Sequence, residues 1–254
     1  MQFSKSLMLL VAIATGTLAR PEGMARRQAT STTSSSSSSW TSVPSSGNYD
    51  TSGFGSSTSS SGSGASYEGN VGNPYGSNII EISASDASSY EYVVQFQGSN
   101  TDDWTVVIWN KYGSDGKMDG YYGNACKTFT LSAGATVYYA FDGDSQGGWA
   151  AAPGSTIPTS GGAYAATWGE FDFGSSTNNN WSGFDVSAIQ AQDGGLTVQG
   201  MKICDALGST CSSITSNAGT VDNAYTSAQT DVGGIGGNLS EGPVRLAVTI
   251  DYSG

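Results

Sequence analysis

From residue 78 onward, apolar residues recur at every second position in short stretches that are separated by glycine-rich segments. The stretches cover residues 78–83, 89–97, 104–110, 127–131, 135–141, 195–204 and 244–252. Alternation with a period of two, rich in β-branched and aromatic residues, is typical of strands, and regular turn signals between strands are typical of sandwiches. The pattern predicts an all-β fold, an antiparallel β-sandwich with long Gly-rich loops. At most one short helix is expected, within residues 215–230.

Two aromatic and acidic blocks, residues 168–173 and 181–186, flank a polar turn and predict a central hairpin. Successive side chains of a strand point to opposite faces of the sheet. Phe171, Phe173, Phe184 and Val186 therefore face one side, where they anchor the core. The carboxylates predicted on the other side, toward solvent, are those of Glu170, Asp172 and Asp185.

The first 66 residues differ in composition from the rest of the chain. Residues 1–19 have a basic start, an apolar run and small residues before a cleavage point, which predicts a secretory signal peptide. The dibasic pair Arg26-Arg27 is a candidate processing site. Residues 29–66 are nearly all Ser, Thr and Gly with few apolar residues, so residues 20–66 are expected to be a pro-segment and a disordered linker, either a glycosylated stalk or a plain spacer. The folded domain is expected to cover residues 67–254.

This domain is strongly acidic. Of the 21 acids and 9 bases of the chain, two acids and four bases precede residue 67, which leaves 19 acids, 5 bases and a net charge of −14. Such a field repels nucleic acid and anionic membranes, so neither is expected as a partner. The chain contains no His, which removes Ser-His-Asp and Cys-His catalysis and His-ligated zinc. An enzyme built from this chain would depend on carboxylates.

Three cysteines occur, at 126, 204 and 211. Cys204 and Cys211 bracket a turn sequence, and secretion permits disulfides, so a local Cys204–Cys211 bridge is predicted. Cys126 is then left over, either buried as a small apolar residue or paired with another chain.

The acids of the central hairpin admit two interpretations. Glu170 and Asp185 face each other across the hairpin, with Asp172 able to assist, as a glycosidase requires of its two carboxylates. Alternatively, they are solvated charges on the polar face of a strand in a very acidic protein. The second interpretation is favoured because chance clusters are common among 19 acids.

Two short acidic loops are candidate calcium sites. They contain Asp142 with Asp144, and Asp115 with Asp119. Calcium takes six to eight oxygen ligands, and neither loop supplies the further acids that a complete binding loop has. Ordinary turn chemistry explains both loops, and we expect no metal and no cofactor.

Exposed aromatic rings are the other candidate binding groups. Trp149, Trp168 and Trp181 lie in or beside Gly-rich segments, where their rings could stack on sugars, and Trp149 is the most plausible exposed ring. The sequons at Asn180 and Asn238 predict N-glycosylation at surface positions. A glycan at Asn180 would crowd the edge of the acidic hairpin.

Several segments resemble a fungal secreted allergen family, the Aspergillus group-four allergens. They read NPYGSNIIE, WTVVIWNKYG, TWGEFDFGS, NWSGFDVSAIQAQ and VQGMKICD. The resemblance extends over residues 72–254. It implies an extracellular or wall-associated protein that human IgE binds, and it brings no established activity.

A more distant resemblance, over about half of the domain, is to thaumatin-like proteins. It rests on the segment FTLSAGATV followed by Gly148-Trp149, and on TWGEF and GFDVSAI. It implies a thaumatin-like β-sandwich with an acidic cleft, in a family some of whose members bind or cleave β-1,3-glucan, and it assigns Glu170 and Asp185 to that cleft. Gln190 replaces the expected third acid, and the arginine expected within residues 150–153 is absent.

These observations predict a secreted, allergen-like protein, monomeric and extracellular, that associates with cell-wall polysaccharide such as β-glucan without strong catalysis. Human IgE is expected as a partner from the family resemblance. One alternative is a weak β-1,3-glucanase that uses Glu170 and Asp185. The other is an effector-like surface protein without carbohydrate binding.

Overall fold

The structure, a computed structural model, describes residues 39–59, 61–155 and 157–254. The predicted signal peptide and the Arg26-Arg27 pair lie outside these residues. Within them, the chain forms strands and short helical turns, and no helix is long and apolar enough to cross a membrane.

Fifteen strands and one short α-helix occur in the described part of the chain. They are β1 (Ile79–Ile82), β2 (Tyr92–Gly98), β3 (Trp104–Asn110), β4 (Lys127–Leu131), β5 (Val137–Phe141), β6 (Ser145–Pro153), β7 (Thr159–Ser160), β8 (Ala163–Tyr164), β9 (Trp168–Ser175), β10 (Trp181–Ser187), α1 (Ile189–Asp193), β11 (Met201–Asp205), β12 (Cys211–Ile214), β13 (Val221–Asp222), β14 (Gly237–Leu239) and β15 (Val244–Ile250).

The strands form two large sheets that pack face to face as a β-sandwich, which confirms the predicted fold class. The larger sheet has the strand order β1-β5-β2-β15-β11-β12-β13, and the smaller one has the order β14-β10-β9-β6-β3-β4. β7 and β8 pair separately. Within the two sheets every pairing is antiparallel except that of β2 with β15, which is parallel.

The main core fills the space between the two sheets. Phe171, Phe173 and Phe184 are at most 2% exposed, so the predicted inward face of the central hairpin is confirmed. The ring of Trp149 stacks on that of Phe171 with centroids 5.7 Å apart and meets Phe96 edge-on at 5.3 Å. Such contacts add to the stabilisation that burial of the rings already provides.

Most strands begin and end close to the predicted positions. β3 and β4 have the predicted bounds, whereas β2 begins at Tyr92 rather than at residue 89 and β11 begins at Met201 rather than at residue 195. The expected helix within residues 215–230 is absent: two single 3-10 turns lie at Ser216–Ala218 and Ser227–Gln229. The left-handed φ of 57° at Asn217 interrupts any helix there.

β6 was not predicted because its sequence, SQGGWAAAP, reads as a glycine-rich loop. It is nevertheless a central strand between β3 and β9. A Cβ at Gly148 would lie 2.8 Å from the Trp109 ring, and one at Gly147 would lie 2.0 Å from the Trp109 carbonyl oxygen. Glycine at these two positions therefore lets β6 lie close against β3 and its large ring.

Contrary to the expectation of a disordered linker, residues 40–57 contact the larger sheet and the segments beside it. The guanidinium of Arg245, on β15, is fully buried. It donates to the carbonyl oxygens of Trp40 and Ser42 at 3.1 Å each, and further to those of Tyr90, Glu91 and Val244. The Trp40 ring also lies 5.9 Å from that of Tyr138. These contacts outweigh the low apolar content of the segment.

The predicted Cys204–Cys211 disulfide is present and joins directly opposed residues of β11 and β12. Cys126 is a free thiol, half-buried beside Gly76, where an added Cβ would lie 2.5 Å from that of Cys126. Burial raises the pKa of this thiol.

Candidate functional site

The three acids of the central hairpin share the outer face of the smaller sheet. Glu170 lies directly opposite Asp185 in the β9–β10 ladder, and Asp172 lies opposite Gly183 on β10 and Gln146 on β6. Asn238, on the edge strand β14, continues the row of Asp172 through Gly183. The structure thus brings Glu170, Asp172 and Asp185 together on one face, as the alternation predicted.

The expectation that these acids point into solvent is wrong. Asp185 is 3% exposed and Asp172 is 8% exposed, while Glu170 is half-buried. A buried carboxylate loses hydration, so the charged form is disfavoured unless a partner compensates it. In the described part of the chain the only ion pair within 4.0 Å joins Lys117 to Asp115.

Glu170 and Asp185 are directly opposed, and their side chains are close enough to share a hydrogen bond when one of the two carboxyls is protonated. Burial raises the pKa of Glu170 to about 7. Burial also raises the pKa of Asp185 well above its ordinary value, and the neighbouring charge of Glu170 raises it further. Two carboxyls in contact cannot both ionise at low cost, so the pair titrates as a unit.

The pKa of Asp172 is determined by a different set of neighbouring groups. Burial raises its pKa to about 7, and the charge of Asp144 raises it further. Hydrogen bonds from Ser175 and Gln146 and the charge of Lys111 lower the pKa, but by less. Lys111 is 7% exposed, but its Nζ donates to the carbonyl oxygen of Tyr67 at 2.8 Å and to Oε1 of Gln146 at 3.2 Å. The nearest cation is therefore directed elsewhere.

The glycine-rich loop of residues 233–237 covers the acids on the β14 side. Oδ1 of Asn223 accepts from the amide of Gly236 at 2.9 Å, and the hydroxyl of Tyr225 accepts from the amide of Ile235 at 3.1 Å. Gly236 has a φ of 105°, and a Cβ there would lie 2.3 Å from the carbonyl oxygen of Phe184. Glycine therefore permits the loop to lie directly on β10.

Between this loop and the hairpin lies a small groove, open to solvent on one side, which we call the carboxyl groove. Its polar lining comprises Asp172, Asp185, Asn178, Ser182 and Asn238. Oδ1 of Asp172 and Oδ1 of Asp185 are buried and have no hydrogen-bond donor among the described residues. Buried polar atoms of this kind are uncommon in native proteins, and each calls for a physical explanation.

This geometry limits the chemistry. A glycosidase needs its two carboxyls about 5–5.5 Å apart for retention or about 6.5–9.5 Å apart for inversion. The Glu170 and Asp185 carboxyls are in direct hydrogen-bonding contact, so no sugar fits between them. Side-chain acids and amides at the edge of a groove can instead bind groups that carry hydrogen-bond donors.

Two of the three candidate sugar-binding tryptophans are buried. Trp149 is 0% exposed in the main core, which overturns the prediction that it is the most exposed ring. Trp168 is 2% exposed and packs with Trp109, Tyr121 and Tyr164 in a second core on the outer face of the smaller sheet. Trp181, at the start of β10, is 37% exposed and alone remains available for stacking.

The two acidic loops use their carboxylates in local hydrogen bonds. Asp142 accepts from Ser57 at 2.6 Å and from Asn70 at 2.8 Å. In the other loop, Asp115 pairs with Lys117, and Asp119 accepts from Asn124. No group of three or more metal-binding side chains is found among the described residues.

The two sequon asparagines are exposed and lie at the same edge of the smaller sheet. Asn180 lies in the β9–β10 turn, where its Nδ2 donates to Glu241 at 3.1 Å. Asn238 lies on β14 and lines the carboxyl groove. Whether either carries a glycan stays a prediction.

Sequence reasoning missed several groups that shape the site: Lys111, Gln146, Asn178, Asn223 and Tyr225. Gln146 reaches it from β6 and Asn178 from the turn of the hairpin itself. Lys111, Asn223 and Tyr225 come from segments far from the hairpin in sequence. The glycine cluster at residues 233–237 was the one available signal, since so many glycines in a row are typical of backbone that must approach another segment closely.

Comparison with known proteins gives a consistent assignment. Residues 77–250 match the model of the Allergen Asp f 4-like domain. The chain is 54% identical over 214 residues to Allergen Asp f 4 of Aspergillus fumigatus, covering 84% of this chain and 66% of that protein, so it spans just under two thirds of its relative's length. A solved structure, that of the protein elicitor MoHrip2 from Magnaporthe oryzae, aligns with a TM-score of 0.39 and 12% identity over 63% of this chain and 99% of that one.

The more distant resemblance to thaumatin-like proteins stays a prediction. The domain match extends over both sheets, the central hairpin and the carboxyl groove. On this match and on the identity to Allergen Asp f 4, the chain belongs to the Allergen Asp f 4-like family.

Proposed function

We propose that this protein is secreted and binds cell-wall polysaccharide through the carboxyl groove without cleaving it. The observation that supports the proposal is the pair of buried, unpartnered Oδ1 atoms of Asp172 and Asp185. A buried carboxyl oxygen without a donor costs stability, and a bound hydroxyl or other donor would compensate this cost. Asn178 and Asn238 add amide groups at the edge of the groove.

The direct test is a pull-down of the full-length protein on insoluble β-glucan and on chitin. Binding to one of these polymers that the Asp172→Asn or Asp185→Asn variant weakens would support the proposal. Asp172→Asn and Asp185→Asn keep the side-chain shape, and near-UV circular dichroism checks that the variants fold. Retention of the wild type on neither polymer would overturn the proposal and favour an effector-like role without carbohydrate binding.

Secretion is part of the proposal and has a separate test. Residues 1–19 have the composition of a signal peptide. N-terminal sequencing of the protein from a culture filtrate should find a start after residue 19, or after Arg27 if the dibasic pair is cleaved. An intracellular protein that begins at Met1 would contradict this part.

Recognition by human IgE is proposed from the identity to Allergen Asp f 4. Sera from patients who react to that protein should bind this chain, and pre-incubation with this chain should reduce their binding to the relative. Absence of inhibition would show that the shared residues do not form the shared epitopes.

A further inference from the structure

The carboxyl groove collects acidic side chains that no cation in the described residues pairs with, so burial favours their neutral form and a bound cation would stabilise the ionised form. Glu170, Asp172 and Asp185 lie together, and no cationic group of the described residues is within 4.0 Å of any of them. Lys111 is the one base whose charge acts on Asp172, and its Nζ is held by a backbone carbonyl and by Gln146. No cationic hydrogen-bond donor of the described residues therefore pairs with the acids of the groove.

The orientation of the acids fits such a ligand. Asp172 and Asp185 line the groove, and each keeps one buried oxygen, Oδ1, without a donor. The terminal torsion of an Asp side chain is broad, so a modest rotation presents this oxygen to a ligand in the groove. Neutral hydroxyls would satisfy the oxygen but leave the charge of an ionised carboxylate uncompensated. An ammonium group supplies both the donors and the charge.

The net charge of the whole domain also favours a cationic ligand. Its net charge of −14 over residues 67–254 attracts polycations and repels anionic polymers. The groove is open on one side and has a volume of about 30 Å³, which accommodates an ammonium group while the sugar ring that carries it stays at the opening. Trp181 is exposed and directly precedes Ser182, which lines the groove, so its ring is a candidate apolar face for a neighbouring sugar of the polymer.

We propose that the carboxyl groove binds an amino sugar with a free ammonium group, such as the β-linked glucosamine of deacetylated chitin, through Asp172 and Asp185. This proposal rests on the proposed function and narrows it to one substrate class. The ammonium takes hydrogen bonds to the two unpartnered oxygens, and Asn178 and Asn238 bind neighbouring hydroxyls.

The test compares three hexasaccharides by calorimetry with the full-length protein at pH 7, where Asp172, with a pKa of about 7, is partly ionised: a glucosamine hexamer, its N-acetylated counterpart and a β-1,3-glucan hexamer. The first two differ only in the acetyl groups that remove the charge. We expect the glucosamine hexamer to bind at least about tenfold more tightly than the other two, which corresponds to one charge-assisted hydrogen bond. We expect Asp172→Asn to abolish this preference.

The matched control is Asp102→Asn, which removes one negative charge from the exposed turn between β2 and β3. If this variant loses as much affinity as Asp172→Asn, binding is general electrostatic attraction and the inference is overturned. Equal or tighter binding of the acetylated or the β-1,3-linked hexamer also overturns it, while the proposed function stands. If no hexamer binds and the protein is not retained on the insoluble polymers, both this inference and the proposed function are overturned.

Asn238→Ala provides a second variant: Asn238 is exposed, so we expect its truncation to leave the fold intact. It should weaken the glucosamine hexamer about two- to fivefold, as expected for one neutral hydrogen bond. Unchanged affinity would contradict the placement of the sugar beside β14.

Discussion

Glu170 and Asp185 lie directly opposite each other in the β9–β10 ladder, with their two acidic side chains close enough to share a hydrogen bond. Such a contact favours a shared proton, so this part of the hairpin carries less negative charge than its sequence suggests. The shared proton makes both the stability and the chemistry of the site depend on pH.

The first prediction concerns stability against pH. The folded-state pKa of Asp172, about 7, lies above its ordinary value of 3.8. The folded state therefore binds more protons than the unfolded state between these values, and stability falls as pH rises from about 4 to 7. Asp172→Asn should raise the melting temperature by about 5 °C at pH 8 and by much less at pH 4. Thermal unfolding at both pH values measures this, and an equal gain at both would contradict the buried, protonated state.

The second prediction concerns catalysis. Because the Glu170 and Asp185 carboxyls are in contact, they cannot act on opposite sides of a glycosidic bond. The wild type should release no reducing ends from laminarin above the level of a heat-denatured sample. Release that Glu170→Gln abolishes would instead establish the glucanase hypothesis.

The third prediction separates the two hairpin tryptophans. Trp168→Ala should destabilise the protein by about 3–5 kcal/mol, because the ring is 2% exposed in the second core. Trp181→Ala should change stability by less than about 1 kcal/mol and should weaken retention on polysaccharide. Urea unfolding and the pull-down measure the two effects. Full retention by the Trp181 variant would show that its ring does not contact sugar.

The fourth prediction tests the docking of the N-terminal segment. Arg245→Met removes the donors to five carbonyl oxygens and should cost at least about 3 kcal/mol in urea unfolding. It should also expose residues 39–58 to proteolysis. Lys127→Met, a half-buried base on β4, serves as the control and should have little effect. Unchanged protease resistance in the Arg245 variant would show that other contacts hold the segment.

Local sequence patterns predict much of the fold. Alternation is a property of neighbouring residues, so the faces of Phe171 and Glu170 could be assigned without knowledge of the rest of the chain. Burial is not local. The loop at residues 233–237 covers Asp185 from about 50 residues away, and Lys111 approaches Asp172 from the loop that follows β3. The alternation therefore predicted which acids share a face and could not predict that they are withdrawn from water.

The composition of strand β6 and of the N-terminal segment also failed to predict their structure. Gly147 and Gly148 read as a loop, but the space that they leave is filled by β3 and the Trp109 ring. The serine-rich segment has few apolar residues of its own, and Arg245, some 200 residues later, binds its carbonyl oxygens. In each case the partner that determines the structure is distant in sequence.

The position of β15 affects how the protein is made. This strand lies between β2 and β11, in the interior of the larger sheet. The larger sheet therefore cannot be completed during translation until residue 250 has left the ribosome. Before then, β15 is not available to join β1, β5 and β2 on one side to β11, β12 and β13 on the other. Until then both halves present open edges that can pair with other nascent chains. A premature stop before β15 would leave those edges permanently open, so we expect such a product to aggregate or to be degraded.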